Sequence, residues 1–153
     1  MAFTTAMPTS FKVEILEAIH NFTTTSGNAF SVALGIATPA GTYGAATTNY
    51  SNLTGNSDEI PNGSGYATGG FTWTAAQNIT PVSSGTTAYT SWSVNPSWTA
   101  ATFSTSGCII YNASQGNRAI YVGSFGGTQT VTAGTLTLVL PTANASNAIL
   151  RIQ

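Results

Sequence analysis

The chain of 153 residues is long enough to bury one core without disulfides or metal; 42% of it is hydrophobic and only 5% charged, with a formal net charge of −1. An ordinary globular domain carries about 25% charged residues. That apolar content excludes a disordered tail, no apolar run reaches the roughly 20 residues of a membrane-spanning helix, and three scattered cations (Lys12, Arg118, Arg151) argue against nucleic-acid binding, because they cannot replace the counterions on a phosphate backbone.

The opening residues, Met1-Ala2-Phe3-Thr4-Thr5-Ala6, lack the basic start and apolar stretch of a signal peptide, so classical secretion is not expected. The spacing of Phe11, Ile15, Ala18, Ile19 and Phe22 then predicts a helix over 9–22, entered after Pro8 and ended by Asn21 and the run to Gly27. Lys12, Glu14, Glu17 and Asn21 project from its other sides and read as a solvated face. After the helix the period becomes two: Phe30, Val32, Leu34 and Ile36 alternate with Ala29, Ser31, Ala33 and Gly35, the clearest strand in the chain.

A long irregular stretch follows, Thr38 to Gly70, of a length that is uncommon in a compact domain unless it makes contacts. Strands are predicted again at Phe71–Ala75, Ala88–Val94, Trp98–Phe103, Cys108–Tyr111, Ala119–Phe125, Leu136–Leu140 and Ala148–Ile152. Asn95-Pro96-Ser97, Ser114 to Asn117 and Gly126-Gly127 read as the turns between them. The expected fold is mainly β: one domain over 1–153, an antiparallel β-sandwich or jelly-roll-like barrel of about seven or eight strands behind one N-terminal helix.

The chemical inventory is thin. Four carboxylates, one His and one Cys are all the chain has for acid–base or nucleophilic work. Glu14, Glu17 and His20 lack the paired histidines of a helical zinc site, and Asp58-Glu59 with Asn56 and Asn62 lacks the glycine and terminal Glu of a calcium loop. Gly63-Ser64-Gly65 is not a nucleophile elbow, and Gly123 to Gly127 is not a phosphate loop. Neither catalysis, metal nor cofactor is therefore expected. Cys108, between Gly107 and Ile109, reads as a core residue. Trp73, Trp92 and Trp98 could form a sugar-stacking platform, but Trp73 and Trp92 share the inward phase of Phe71 and Val94, so core packing is the better account.

The long segment holds the residues best suited to partner contact, namely Tyr43, Tyr50, Leu53, Ile60 and Tyr66 with Asp58 and Glu59. Asp58 and Glu59 are expected to pin it to Arg118, to Arg151 or to a neighbouring subunit. The alternative is a segment folded back over one end of the sandwich.

Several pieces in order resemble a small family of tailed-bacteriophage virion proteins described as structural: Ser10 to Leu16 with His20-Asn21-Phe22, Asn28 to Leu34, Glu59-Ile60 with Gly63, Gly65-Tyr66 and Gly69-Gly70, Cys108 to Asn112, Asn117 to Ile120, Phe125 to Gly127, Gly134 to Pro141, and Ala148 to Ile152. The resemblance covers nearly the whole chain. Family members carry an Asp shortly before Trp98 and an Arg shortly before Ile109; here Val94-Asn95-Pro96 and Ser104 to Gly107 stand in those places, so both charges are lost together. The resemblance implies a non-enzymatic virion component, made in the host cytoplasm and bound to other virion proteins. A capsid decoration (cement) protein contacting the major capsid protein in many copies fits the low charge and self-association best. A tail, neck or fibre-attachment protein and a carbohydrate-binding adhesion module are the alternatives. A homo-oligomer in the particle is expected, with no membrane or nucleic-acid partner.

Overall fold

The structure, a computed structural model, describes residues 2–73 and 79–153. The alternation beginning at Phe30 forms β1 (Phe30–Ile36), which lies inside the larger of two antiparallel sheets. Its neighbours are β2 (Phe71–Trp73) on one side and β5 (Ser97–Asn112) on the other, with β6 (Arg118–Thr137) beyond β5. The smaller sheet pairs β3 (Thr80–Ser84) with β4 (Thr87–Ser91) and β4 with β7 (Arg151–Ile152). Two helices, α1 (Thr9–Leu16) and the single-turn α2 (Ser51–Gly55), complete the described elements. This is the mainly β, two-sheet fold expected.

The larger sheet is covered on both faces. On one, Phe30, Val32 and Leu34 join Cys108, Ile110 and Ile120 beneath Phe11, Trp73, Ile79 and Leu150. On the other, Ala33, Ile109, Ala119 and Val122 lie beneath Phe3, Tyr43 and Leu53. Burial on both faces explains why β1 is enclosed from Phe30 to Gly35, small residues included.

Helix α1 stops at Leu16, well short of the expected Phe22. Ala18 takes a left-handed backbone (φ 56°), and the Ala18 and Ile19 amides donate back to the Ile15 and Glu14 carbonyls at 3.1 and 3.0 Å. That is a Schellman ending, with alanine at the position glycine usually fills. Alanine carries no sequence mark of such a stop. Phe22 still reaches the core from the following connection, stacked on Phe30 at 4.8 Å and edge-on to Phe11 at 6.3 Å.

β5 and β6 are longer than their sequence suggests. Trp98–Phe103 and Cys108–Tyr111 are parts of one 16-residue strand, and β6 runs through Gly126-Gly127 to Thr137. Those glycines make no turn between strands. Gly107 faces Ser124 while Thr105 faces Gln129, so the extra residues of β6 bulge out within the ladder. Leu138 to Leu140 fall outside β6, and of Ala148–Ile152 only Arg151 and Ile152 are strand. β3 was not expected; all five of its residues are exposed and show no inward phase. The expected extension of β2 to Ala75 lies outside the described residues.

Phe3 closes one end of the second layer. Gly35 and Gly107 face each other across β1 and β5, and a Cβ on either would meet the Phe3 ring at 2.2 or 2.3 Å. The ring therefore sits in a slot that two glycines create, stacked on Tyr43 at 4.8 Å.

Two stability measurements check this account. Ala18→Gly is expected to stabilise the fold by up to about 1 kcal/mol, read as a higher thermal midpoint, since it removes a Cβ from a left-handed site; a lower midpoint would contradict the helix ending. Gly35→Ala should cost about 1–3 kcal/mol by overpacking and Phe3→Ala about 3–5 kcal/mol. Their double variant should lose clearly less than the sum, because removing the ring vacates the space the new methyl needs.

Candidate functional site

Three of the four carboxylates are buried: Asp58 is 1% exposed, Glu14 5% and Glu59 9%. A buried carboxylate is costly unless hydrogen-bonded, so their partners define where the chain concentrates its chemistry. Residues 58–60 run as an extended segment along the end of β1, with the Ile36 amide donating to the Asp58 carbonyl at 2.8 Å and the Ile60 amide to the Leu34 carbonyl at 3.0 Å. Being successive in an extended chain, the two side chains diverge into separate hydrogen-bond sets.

Asp58 accepts from the Ala40 and Gly41 amides at 2.8 and 2.7 Å and from the Tyr43 hydroxyl at 2.5 Å. Burial raises the Asp58 pKa, but these three donors together outweigh it and hold the carboxyl below its ordinary value. Burial, with the bond to Asp58, pushes Tyr43 up to about 12. Glu59 accepts from the Tyr50 and Tyr66 hydroxyls at 2.5 and 2.8 Å and from the Gly69 amide at 2.7 Å. Both tyrosines are shifted upward, first by burial and then by the adjacent Glu59. The Tyr66 hydroxyl also accepts from the Leu34 amide at 3.0 Å, tying the segment to β1.

These contacts revise the expected partner interface. Tyr43, Leu53, Asp58, Ile60 and Tyr66 are all 3% exposed or less. Tyr50 is half-buried and stacks on Tyr111 at 4.6 Å. The segment is thus folded back over the larger sheet, and these side chains are not free to anchor a neighbour. The reason is chemical: tyrosine hydroxyls brought near a buried surface need acceptors, and Asp58 and Glu59 supply them.

The expected ion pairing is revised as well. Arg118 binds neither Asp58 nor Glu59; its Nη1 donates to Glu14 Oε1 at 2.6 Å. Arg151 Nη1 donates to the Ala145 and Ser146 carbonyls at 3.1 and 2.9 Å. Glu14, read as solvated, faces the sheet, where His20 Nε2 lies 2.8 Å from its other oxygen. Asn112, fully buried at the end of β5, completes the group with its Nδ2 2.9 Å from His20 Nδ1. Burial lowers the His20 pKa and Arg118 adds to that, against an opposing pull from Glu14. Glu14 and His20 lie six residues apart, but Arg118 is 104 residues from Glu14 and meets it because α1 lies beside the start of β6.

The remaining reactive groups are enclosed. Burial pushes the Cys108 thiol up to about 12. Trp73 is fully buried and Trp98 6% exposed, while the indole N–H groups of Trp73 and Trp92 donate to the Val94 carbonyl and Thr90 Oγ1 at 2.9 and 3.0 Å. A sugar platform built from these three rings is therefore not presented at the surface. Among the described residues no cluster of three or more His, Cys, Asp or Glu could hold a metal ion, and no helix is long and apolar enough to cross a membrane. A cleft of about 470 Å³ lies beside Glu14 and Arg118, lined also by Thr48, Asn49 and Gln115. Most residues on the outer face of the β5–β6 ribbon are exposed and uncharged, among them Thr102, Thr128, Thr130, Thr132, Thr135 and Thr137.

Comparison of the chain with family models, with curated proteins and with solved structures finds no match.

The tyrosine–carboxylate clusters have a pH consequence. A tyrosine whose pKa is higher folded than unfolded keeps its proton in the fold when the unfolded chain has lost it, so stability falls as pH rises past about 10. The thermal midpoint is expected to drop steadily above that pH, and the drop should be shallower in Tyr66→Phe. Equal slopes in both proteins would show that Tyr66 is not held protonated by its surroundings.

Proposed function

We propose that the chain is a non-enzymatic structural component of a tailed-bacteriophage virion, a decoration protein bound to the capsid shell in many copies. The observation that carries this reading is the use of its ionisable groups. Glu14, Asp58, Glu59, His20 and Cys108 are buried in internal contacts, which leaves few titratable groups at the surface. General acid–base or nucleophilic catalysis needs such groups facing a cleft. A surface made of Thr, Ser, Asn and Gly, with no charged residue between Glu59 and Arg118 or between Arg118 and Arg151, can approach many identical sites without like-charge repulsion. The ordered resemblance to virion structural proteins supplies the setting.

With the long segment folded inward, the outer face of the β5–β6 ribbon is the surface we assign to shell contact. A tail or neck role would use the same fold at low copy number.

Two measurements test this. The protein should be among the most abundant components of purified particles, and it should rebind particles stripped of it. Thr130→Lys with Thr132→Lys places two charges on the exposed ribbon face and should lower rebinding at least tenfold with the thermal midpoint nearly unchanged. Scarcity in the particle would favour the tail or neck role, and rebinding at full affinity by the folded double variant would remove the ribbon from the interface.

A further inference from the structure

We infer that His20 is an acid-sensitive latch that holds the connection between α1 and β1, residues 17–29, onto the end of β5. The inference rests on the direction of each hydrogen bond around the ring, which two backbone donors determine. The Asn21 amide N–H donates to an atom of the Asn28 side chain at 2.9 Å, so that atom is the amide oxygen Oδ1. The Asn112 atom 2.9 Å from it must then be a donor, Nδ2. The Ser114 amide N–H donates to the other Asn112 atom at 3.1 Å, which makes it Oδ1 and agrees with the first assignment.

The Asn112 Nδ2 group therefore gives one hydrogen to Asn28 and turns the second toward His20 Nδ1 at 2.9 Å. Nδ1 has to accept and carries no proton. The ring is the neutral Nε2–H tautomer, and it donates to Glu14 Oε2 at 2.8 Å.

Protonation of Nδ1 would set an N–H against the Asn112 NH₂ group. Turning that amide over would satisfy the imidazolium, but it would set Oδ1 against Asn28 Oδ1 and Nδ2 against the Ser114 N–H. Neither orientation satisfies all three partners. Water cannot substitute, because the His20 side chain is fully buried and Asn112 is too. Proton uptake is thus coupled to separation of the connection from β5.

The charged groups facing the ring are Glu14 from α1 and Arg118 from β6; β5 contributes only the neutral Asn112, and the Phe11 ring packs against the imidazole at 4.9 Å. Glu14 favours a charged ring, but its second oxygen is held by Arg118, whose charge opposes it. The connection is also tied to this end of the sheet by the Ala29 amide to Ser114 Oγ and by the Ala113 amide to the Ala29 carbonyl, both at 2.9 Å. These lie beside Asn112 and would open with it.

The sign follows from linkage. The latched state binds the His20 proton more weakly than the released state, so the latch is fully effective above about pH 6.5 and weakens as pH falls below it. The opening equilibrium should grow about tenfold per pH unit over that range, until the latched ring itself titrates.

His20 is the only histidine in the chain, so its imidazole nitrogens can be read without ambiguity by ¹⁵N NMR. At pH 8 the Nε2–H tautomer is expected, with a titration midpoint below 6.5. Amide exchange at Asn21, Asn28 and Ala29, corrected for its intrinsic pH dependence, should accelerate on the tenfold-per-unit scale as pH falls, while Ile109 and Ile110 in β5 stay protected. In His20→Gln that acceleration should vanish. An Nδ1–H tautomer or an imidazolium at pH 8 would overturn the latch, as would protonation with unchanged exchange. The same acceleration in His20→Gln would assign the effect to the carboxylates instead. If that variant does not fold, the wild-type tautomer and titration still decide.

Discussion

The docking of residues 58–60 along the end of β1 is the constraint on which the rest of the molecule depends. It takes two carboxylates out of water in adjacent positions, which would cost several kcal/mol each if they were left unpaired. The chain answers with hydroxyl and amide donors rather than cations. Tyr43, Tyr50 and Tyr66 each contribute an apolar ring to the interior and a hydroxyl to a carboxylate. The stretch from Thr38 to Gly70 can therefore pack on the sheet with little regular structure, because the polar groups it does bury find partners within itself and on β1.

The same economy of charge governs the other end of the sheet. Glu14 is shared between Arg118 and His20, and Asn112 joins this group to the connection that follows α1. With only three cations in the chain, one committed to Glu14 and another to backbone carbonyls, the exterior is left nearly uncharged. Such a surface suits a subunit placed among copies of itself or on a repetitive shell better than a freely diffusing enzyme. The link between charge usage and the proposed virion role is therefore physical: groups that could do chemistry are the ones that hold the fold.

Covering the larger sheet on both faces has a further consequence for partner contact. Most aromatic residues suited to anchoring a neighbour are enclosed, and the exposed face of the long ribbon is mostly threonine and glycine, the exposed large aliphatic side chains (Val13, Leu16, Val82, Val139 and Ile152) lying elsewhere. Attachment through such a surface must rely on area and hydrogen bonding spread over many residues rather than on one deeply inserted side chain. Repetition across a particle would then supply avidity that a single contact lacks.

The sequence by itself determined the class of fold and the inner phase of its best strand. Phe30, Val32 and Leu34 alternate because one sheet face is apolar, and that period survives in any tertiary context. Inward Trp73 and an enclosed Cys108 were legible for the same reason. Three features were decided only by the tertiary structure. The helix end at Ala18 depends on a left-handed residue that alanine does not announce. The continuity of β5 and β6 depends on a bulge that absorbs Ser106 on one strand and Gly126-Gly127 on the other, residues that locally favour a turn just as well. The inward turn of Glu14, Asp58 and Glu59 depends on partners brought from distant places in the chain, such as Arg118 for Glu14. Local periodicity records which face is apolar, but whether a charged or aromatic side chain faces solvent or a buried partner is set by long-range packing, and no local pattern encodes it.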